Sequence, residues 1–437
     1  MDGPTGFALP ESICPVPWLN LSIDTNGSVR PCCKFEQPRD SAVRKFTPLN
    51  EASLAEVWNS AAMVKLREDF LAGAKPVECR ACWSEEASGV PSLRQEFVQH
   101  RLRDSRVDYS TSRPPAPRVL DLKLSNLCNL KCRICSPTAS STYLKEELEH
   151  RPEPSRTWLA NRQDYYRQPK LTGNEESLAT FKSWLPFLEH VELFGGEPMI
   201  GKEVREIEDL IVAAGVAGNV SLLYNTNITV FREEMAEKWR MFRRVSINLS
   251  LDDIGARLEY QRSPSKWETV RTNIHRYNEI RGGSIGVSIL CTVSSYNVWY
   301  LPEFVETVLE LFPGLVMRFN FVHDDPEFCV KNLPVPVKAA IAEKLVSRER
   351  SWEARPLPGR EHFFGSLGEV VSFMQCAPPD PGHWRQFIER TARFDLLRAQ
   401  SFQEVFPEYH ALLEPHFKIE ARHEPTKGAN VAQTAQL

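Results

Sequence analysis

From residue 119 onward, short apolar blocks recur along the chain, and most are followed by a stretch with helical periodicity. The blocks run over 119–127, 191–195, 220–225, 244–251, 285–293 and 315–322. They are rich in Val, Ile and Leu, and two end in Gly or Asn, which predicts strands. Helix-length segments such as 202–214, 232–243 and 302–311 lie between them. Repeated strand-then-helix order predicts parallel strands joined by right-handed crossovers. Six such units predict an α/β fold with an open, partial (β/α)6 barrel. The first crossover, 136–190, contains ELEHRPEPSR and NRQDYYRQPKLTGNEES, too polar and broken for one helix. It predicts a helix after residue 135 and an insertion over the barrel mouth.

The pattern differs on either side of this region. Upstream, LNLSIDTNGSVRPCC predicts a hairpin that turns at Asn26-Gly27. Ser53 and Glu56 predict a capping box that opens a helix through LAEVWNSAAMVKLREDFLA, with Gly73 to end it. The run DSRVDYSTSRPPAPR, polar and then proline-rich, predicts a linker. Downstream of about residue 331, proline-rich breaks (ARPLPGR, CAPPDPGH) separate helical runs such as 392–405 and predict a helical C-terminal extension. The last stretch, HEPTKGANVAQTAQL, reads as disordered. The expected division is a small N-terminal unit at 1–92, a linker at 93–117, the barrel at 118–330 and the extension at 331–437.

Composition narrows the function classes. The chain has 437 residues, 42% hydrophobic and 25% charged, which suits two or three globular domains. A net charge of −4 with no basic run gives nucleic-acid binding no electrostatic support. No apolar stretch reaches about 18 residues, so no membrane span is expected. The first residues, MDGPTGFALPESICPVPW, lack a charged region followed by an apolar one, so a cytoplasmic location is expected.

Cysteine spacing changes the picture most. Seven of eleven cysteines stand in paired or tripled local spacings, which favours metal ligation in a reducing compartment. Cys128, Cys132 and Cys135, in CNLKCRIC, follow the first barrel strand with C-x3-C-x2-C spacing. A four-iron, four-sulfur (4Fe-4S) cluster takes one ligand per iron, so three thiolates leave one iron open. Zinc is the alternative and needs a fourth ligand from elsewhere. Loops at the carboxyl ends of barrel strands are where chemistry sits in α/β barrels.

CNLKCRIC after a strand resembles the radical S-adenosylmethionine (SAM) superfamily, whose signature is C-x3-C-x-φ-C, with Ile134 at the φ position. The resemblance implies that SAM chelates the open iron, that Ile134 lies beside its adenine, and that reductive cleavage gives a 5′-deoxyadenosyl radical. GGEP at the end of the second strand resembles the family's motif for the SAM amino group, a role carried to Gly195, Gly196 and Glu197. Asn225, Asn227, Asp252 and Asp253 also stand at strand ends, the two aspartates reading equally as an N-cap pair. The resemblance assigns Ser250 to the SAM ribose or carboxylate and Arg262 to the SAM carboxylate, with a solvated surface arginine as the alternative. An external electron donor such as flavodoxin or ferredoxin is implied.

Cys14, Gly27, Cys32, Cys79 and Cys82 make the pattern C-x12-G-x4-C, a gap, then C-x2-C. Four thiolates complete a cluster or a zinc site. A hairpin and one helix bury little apolar surface, so the metal is expected to hold this unit together. The pattern resembles the twitch/SPASM auxiliary-cluster module of many radical SAM enzymes, in its one-cluster twitch form. It implies an auxiliary 4Fe-4S cluster on Cys14, Cys32, Cys79 and Cys82, with Cys33 competing with Cys32. The module usually follows the barrel; here it precedes it. A structural zinc ribbon is the alternative. Cys291, Cys329 and Cys376 are isolated and read as small buried residues, Cys291 facing the barrel interior. His323-Asp324-Asp325 stands where substrate contacts are expected, and His423 belongs to the tail.

The reading as a whole is a radical SAM enzyme that abstracts hydrogen from a peptide or a small polar metabolite, with the auxiliary cluster assisting oxidation. The alternatives are transfer of a SAM fragment, such as aminocarboxypropyl, and a zinc-binding interaction protein without catalysis.

Overall fold

The computed structural model describes residues 9–36, 46–49, 51–87, 91–101, 107–168, 170–322 and 325–417. His323, Asp324, His423 and the tail 423–437 lie outside the described residues.

One sheet of nine strands organises the chain, in the order β2-β1-β3-β4-β5-β6-β7-β8-β9. The strands are β1 Asn20–Ile23, β2 Val29–Arg30, β3 Val119–Lys123, β4 His190–Phe194, β5 Ser221–Thr226, β6 Arg244–Ser250, β7 Ile285–Val293, β8 Val316–Phe321 and β9 Phe363–Phe364. All neighbours are parallel except the β1–β2 hairpin. Strands β3 to β8 are the six expected from the apolar blocks, and the sheet is open. Helices such as Lys202–Ala213, Glu233–Trp239 and Leu301–Leu311 fill the crossovers.

Each strand presents two unlike faces because side chains alternate. Val191, Leu193, Leu222, Tyr224, Val245, Ile247, Leu249, Ile289, Cys291 and Val293 are buried in the main core. Their neighbours in sequence, among them Glu192, Asn225, Asn248, Ser250 and Thr292, are half-exposed and line the other face. On this open face Asn248 donates to Asn225 (2.9 Å) and accepts from Ser288 (2.8 Å). Cys291 belongs to the core face, not to the barrel interior: its residue is fully buried and its sulfur lies 3.8 Å from the Asp252 carbonyl.

The N-terminal unit is built differently from the expectation of a metal-dependent bead. Residues Asn20 to Ile23 pair in register with Val119 to Leu122, so β1 extends the barrel sheet. Ile13, Val16, Trp18, Leu21, Trp58 and Phe70 share one hydrophobic core with Leu120, Leu122 and Trp184. The expected helix from residue 54 is two helices, Leu54–Trp58 and Ala61–Leu71, because Ser60 caps a new start. The Ser53–Glu56 capping box is present.

The described parts of 93–117 are not a loose tether. The first of them is the helix Leu93–Arg101. Further on, the Trp18 indole donates to the Thr111 carbonyl (2.6 Å) and the Trp58 indole to that of Pro114 (2.9 Å). Arg67, fully buried, reaches the carbonyls of Pro17, Trp58 and Ser112. Buried N–H donors need acceptors, and irregular, proline-rich backbone has carbonyls to spare.

The extension contains the helices Val335–Ala354, Leu367–Gln375 and Pro381–Arg398. The expected run 392–405 is broken at Ala399, which adopts φ 48°, and Ser401 caps a second short helix, Phe402–Val405.

Candidate cluster and cofactor site

Because β3 to β8 are parallel, the loops that follow them gather at one end of the sheet, and the C-x3-C-x2-C loop is the first. Its irregular backbone is pinned from several sides. Lys131 N–H donates to Ser263 (2.7 Å) and Arg133 N–H to Gln261 (2.8 Å). Cys128 N–H meets the Ser141 hydroxyl (3.1 Å), and the Thr142 hydroxyl holds the Cys128 carbonyl (2.6 Å). The start of the helix Ser141–His150 thus fastens the first cysteine.

The three thiols interact with one another electrostatically, and burial raises each of them, Cys128 to about 12. A metal that binds here must displace protons, and a thiol that coordinates is deprotonated outright. Arg262 beside Cys132 favours its thiolate.

The glycines of GGEP are set by this loop. Gly195 and Gly196 have φ of 81° and 54°. A Cβ on Gly196 would stand 2.2 Å from the Leu127 carbonyl oxygen, and one on Gly195 would stand 2.9 Å from Lys123 Cα. Only glycine allows the second strand's end to lie this close to the cysteine loop. Glu197 N–H seals the contact by donating to Leu127 (2.8 Å).

Glu197 itself is buried and accepts from Met199 N–H (3.0 Å), the Thr226 hydroxyl (2.8 Å) and Asn227 N–H (2.6 Å). Its carboxylate thereby holds the end of β5. Burial outweighs these donors and pushes its carboxyl up from 4.5 to about 7. The folded chain therefore keeps this proton where the unfolded chain has lost it, so stability falls as pH rises from about 4.5 to about 7 and is level above that. The full fall is on the order of 3 kcal/mol. In metal-free protein, the denaturation midpoint should drop more between pH 5 and pH 8 for wild type than for Glu197→Gln. Parallel curves would refute the assignment.

Asn227, noted in the sequence only as polar, reaches the cluster loop. Its amide nitrogen lies 3.7 Å from Cys128 Sγ and 3.0 Å from Asn129 Oδ1. The next residue, Ile228, has φ 69°, a conformation β-branched residues rarely adopt. The Asn273 amide holds its carbonyl (2.8 Å). Strain of this kind persists where the surroundings enforce it.

Arg262 is not a solvated surface residue. Nε and Nη2 both donate to Asp252 Oδ2, at 2.8 and 2.6 Å, and the side chain is 12% exposed. Asp252 also accepts Thr292 N–H (2.9 Å), and Asp253 accepts from Arg257 and Gln261. Neither aspartate is the N-cap of the helix Gly255–Gln261, whose cap is Ile254. Ser250 ends β6 on the open face, and Ile134 packs half-buried against the main core.

Arg133, between Cys132 and Ile134, is fully buried. Its guanidinium reaches Asp395 (2.6 Å), Gln400 (2.9 Å) and the carbonyls of Tyr260 (3.1 Å) and Thr391 (3.4 Å). It also stacks 3.5 Å from the Tyr260 ring centroid. The helix Pro381–Arg398 makes three further contacts around the cluster loop. Arg398 pairs with Glu146 (2.7 Å), Arg393 with Glu147 (2.7 Å), and Arg390 donates to the Tyr143 hydroxyl (2.8 Å). The extension, unexplained by sequence, is thus a brace on the cysteine loop and its following helix.

The N-terminal cysteines form a separate site. Cys14, Cys32, Cys79 and Cys82 line one cavity of about 330 Å³, its open mouth included, together with Phe70, Lys34 and Arg94. Cys33 does not line it: the charges acting on that thiol are Asp121, Glu192, Lys123 and Lys34. The structure favours Cys32 over Cys33 accordingly. Arg94 is tied to Glu86 (2.6 Å) and to the Ile13 carbonyl (2.9 Å), and Lys34 to Glu85 (2.8 Å). Both cations that line the cavity are thus already paired with carboxylates. Among the described residues, no three His, Cys, Asp or Glu side chains converge tightly enough for a single metal ion. One tetrahedral zinc draws its sulfurs to about 3.8 Å from each other. A 4Fe-4S cluster takes one thiolate per corner and spreads them wider, which fits an open cavity of this kind.

Residues 14–83 match the family described as SPASM, an iron–sulfur cluster-binding domain. The match spans all four cysteines, and this part of the chain is similar to that iron–sulfur cluster-binding domain. No curated protein matches the chain. Among solved structures, native anSMEcpe with bound AdoMet is 16% identical over 54% of this chain and 61% of its own, with a TM-score of 0.38. Streptococcus suis SuiB bound to the precursor peptide SuiA is 14% identical over 63% of this chain and 60% of its own, with a TM-score of 0.33. The chain thus spans about three fifths of the length of these structures. Residues 14–83 are thus similar to the SPASM module expected from the cysteine pattern. No helix among the described residues is long and apolar enough to cross a membrane.

Proposed function

We propose that this chain is a radical SAM enzyme. The observation that carries the reading is the cysteine triplet on the loop after β3, packed against Gly195-Gly196 after β4 and beside Arg262. Cys128, Cys132 and Cys135 would hold a 4Fe-4S cluster with one iron open to SAM. When bound and reduced by one electron, that pair supplies a 5′-deoxyadenosyl radical, which removes a hydrogen atom from substrate.

The chain's own residues then have distinct tasks. Asn227 places an amide N–H toward Cys128 Sγ. Asp252 orients Arg262 so that the remaining guanidinium edge is available to a carboxylate. Gly195 and Gly196 leave room for close approach of a ligand to backbone, and Ser250 offers a hydroxyl on the same face. The polar open face of the sheet receives the substrate, a peptide or a small polar metabolite. Cys14, Cys32, Cys79 and Cys82 would hold an auxiliary cluster, which would supply an electron acceptor suited to dehydrogenation or a cross-link. A flavodoxin or ferredoxin supplies the starting electron.

Anaerobically reconstituted protein should carry about eight irons and eight sulfides. With dithionite and SAM it should release 5′-deoxyadenosine and methionine. Release of 5′-methylthioadenosine instead would move the reading to aminocarboxypropyl transfer. Zinc without sulfide would end it.

A further inference from the structure

The open face carries one charged row that the reading above leaves without a task. Ser22 on β1, Asp121 on β3 and Glu192 on β4 are register neighbours, so their side chains stand side by side on one face. Adjacent strands are only about 4.8 Å apart. The two carboxylates therefore crowd each other, and Glu192 acts on Asp121 as a like charge.

Asp121 is 7% exposed. Its Oδ2 accepts from the Ser22 hydroxyl (2.7 Å), but its Oδ1 is buried without a hydrogen-bond partner. On the side away from Ser22, the register neighbour of Asp121 is Glu192 on β4. An unpartnered buried carboxylate oxygen costs free energy, so this atom calls for a donor. The nearby cations are engaged. Lys123 pairs with Asp24 (2.8 Å), and Arg30 pairs with the same aspartate. Lys34 is held by Glu85. His190 Nε2 lies 3.4 Å from Glu192 and carries charge only when protonated. Asp24, Asp121 and Glu192 against Lys123 and Arg30 leave one negative charge in excess.

We propose that Asp121 and Glu192 form a subsite for one organic cation, the ammonium or guanidinium of a lysine- or arginine-like group on the substrate. A metal ion fits less well, because no third ligand converges there among the described residues. An N–H cation needs only two acceptors and can bridge Oδ1 and the Glu192 carboxylate. The exposed Cys33 feels the charge of the same two carboxylates, and its neighbour Cys32 lines the auxiliary cavity. The proposal takes the open face as the substrate face, and so rests on the proposed function.

Ligand-observed NMR titration tests it on the full chain, without reductant or SAM. The probes are N-acetyl-lysine amide, N-acetyl-arginine amide and the neutral isostere N-acetyl-norleucine amide. The two cations should bind saturably, and norleucine at least tenfold more weakly. Asp121→Asn, which keeps an acceptor for Ser22, and Glu192→Gln should each weaken the cations at least fivefold. If Asp121→Asn fails to fold, Glu192→Gln decides, since that side chain is 30% exposed. Equal binding of norleucine, no binding of any probe, or cation binding unchanged in Glu192→Gln overturns the subsite. SAM cleavage measured in parallel separates the two claims: cations that bind to a chain inactive on SAM sink the enzyme reading and leave the subsite standing.

Discussion

Replacing Cys128, Cys132 and Cys135 together with alanine is expected to halve the iron of the reconstituted chain, from about eight atoms to about four, and to abolish SAM cleavage. The partial loss follows from the layout. The four N-terminal cysteines line their own cavity with Lys34 and Arg94, and none of the three replaced thiols lines it. The remaining iron should stay on the N-terminal site and keep its absorbance near 400 nm. The fold should survive, because the loop is held by Ser141, Thr142, Ser263 and Gln261 through backbone groups that alanine retains. Iron and sulfide analysis beside circular dichroism and product chromatography reads all of this. Cleavage at the wild-type rate would defeat the central assignment, and loss of all iron would show that the two sites do not load independently.

Asp395→Ala is expected to be the most damaging single change outside the cysteines. It leaves the Arg133 guanidinium fully buried without its carboxylate. Breaking one partner from a buried pair costs about 3–5 kcal/mol, and the 20% exposure of Asp395 puts this case at the lower end. The same carboxylate also accepts from the Tyr260 hydroxyl (2.7 Å) and Phe402 N–H (2.8 Å), so three elements lose an anchor at once. Asp395→Asn keeps one acceptor oxygen and should cost less than Asp395→Ala. A role in positioning predicts more than lost stability: the electron paramagnetic resonance signal of the reduced cluster on Cys128, Cys132 and Cys135 should shift, and the N-terminal signal should not. Urea unfolding that matches wild type, or spectra in which neither signal moves, would contradict the brace.

Much of this was readable from residue order. Strands β3 to β8 showed because an apolar core face forces Val, Ile and Leu into short blocks, and the observed bounds fall within a few residues of those blocks. The cysteines showed because ligand spacing is local. What stayed hidden was long-range and polar. Arg133 in CRIC looks like any surface arginine, and nothing near it announces Asp395. The β1–β2 hairpin showed in LNLSIDTNGSVRPCC, but the parallel pairing of β1 with β3 did not, because its partner lies 99 positions away at Ser22–Asp121. The 93–117 stretch read as a tether because its acceptors are main-chain carbonyls, which every sequence possesses. Arg262 could have been paired with Asp252 ten residues earlier, but only if the turn after β6 were known.

The brace also bears on how the chain matures. Arg133 and Asp395 are separated by 262 residues. At about 5–20 residues per second, roughly 13–50 s of translation pass between them. During that interval the cysteine loop has left the ribosome while its guanidinium clamp does not yet exist, whereas the four N-terminal thiols and Arg94 are already synthesised. On the proposed function, the N-terminal site is fully synthesised well before the brace helix can dock on the C-x3-C-x2-C loop.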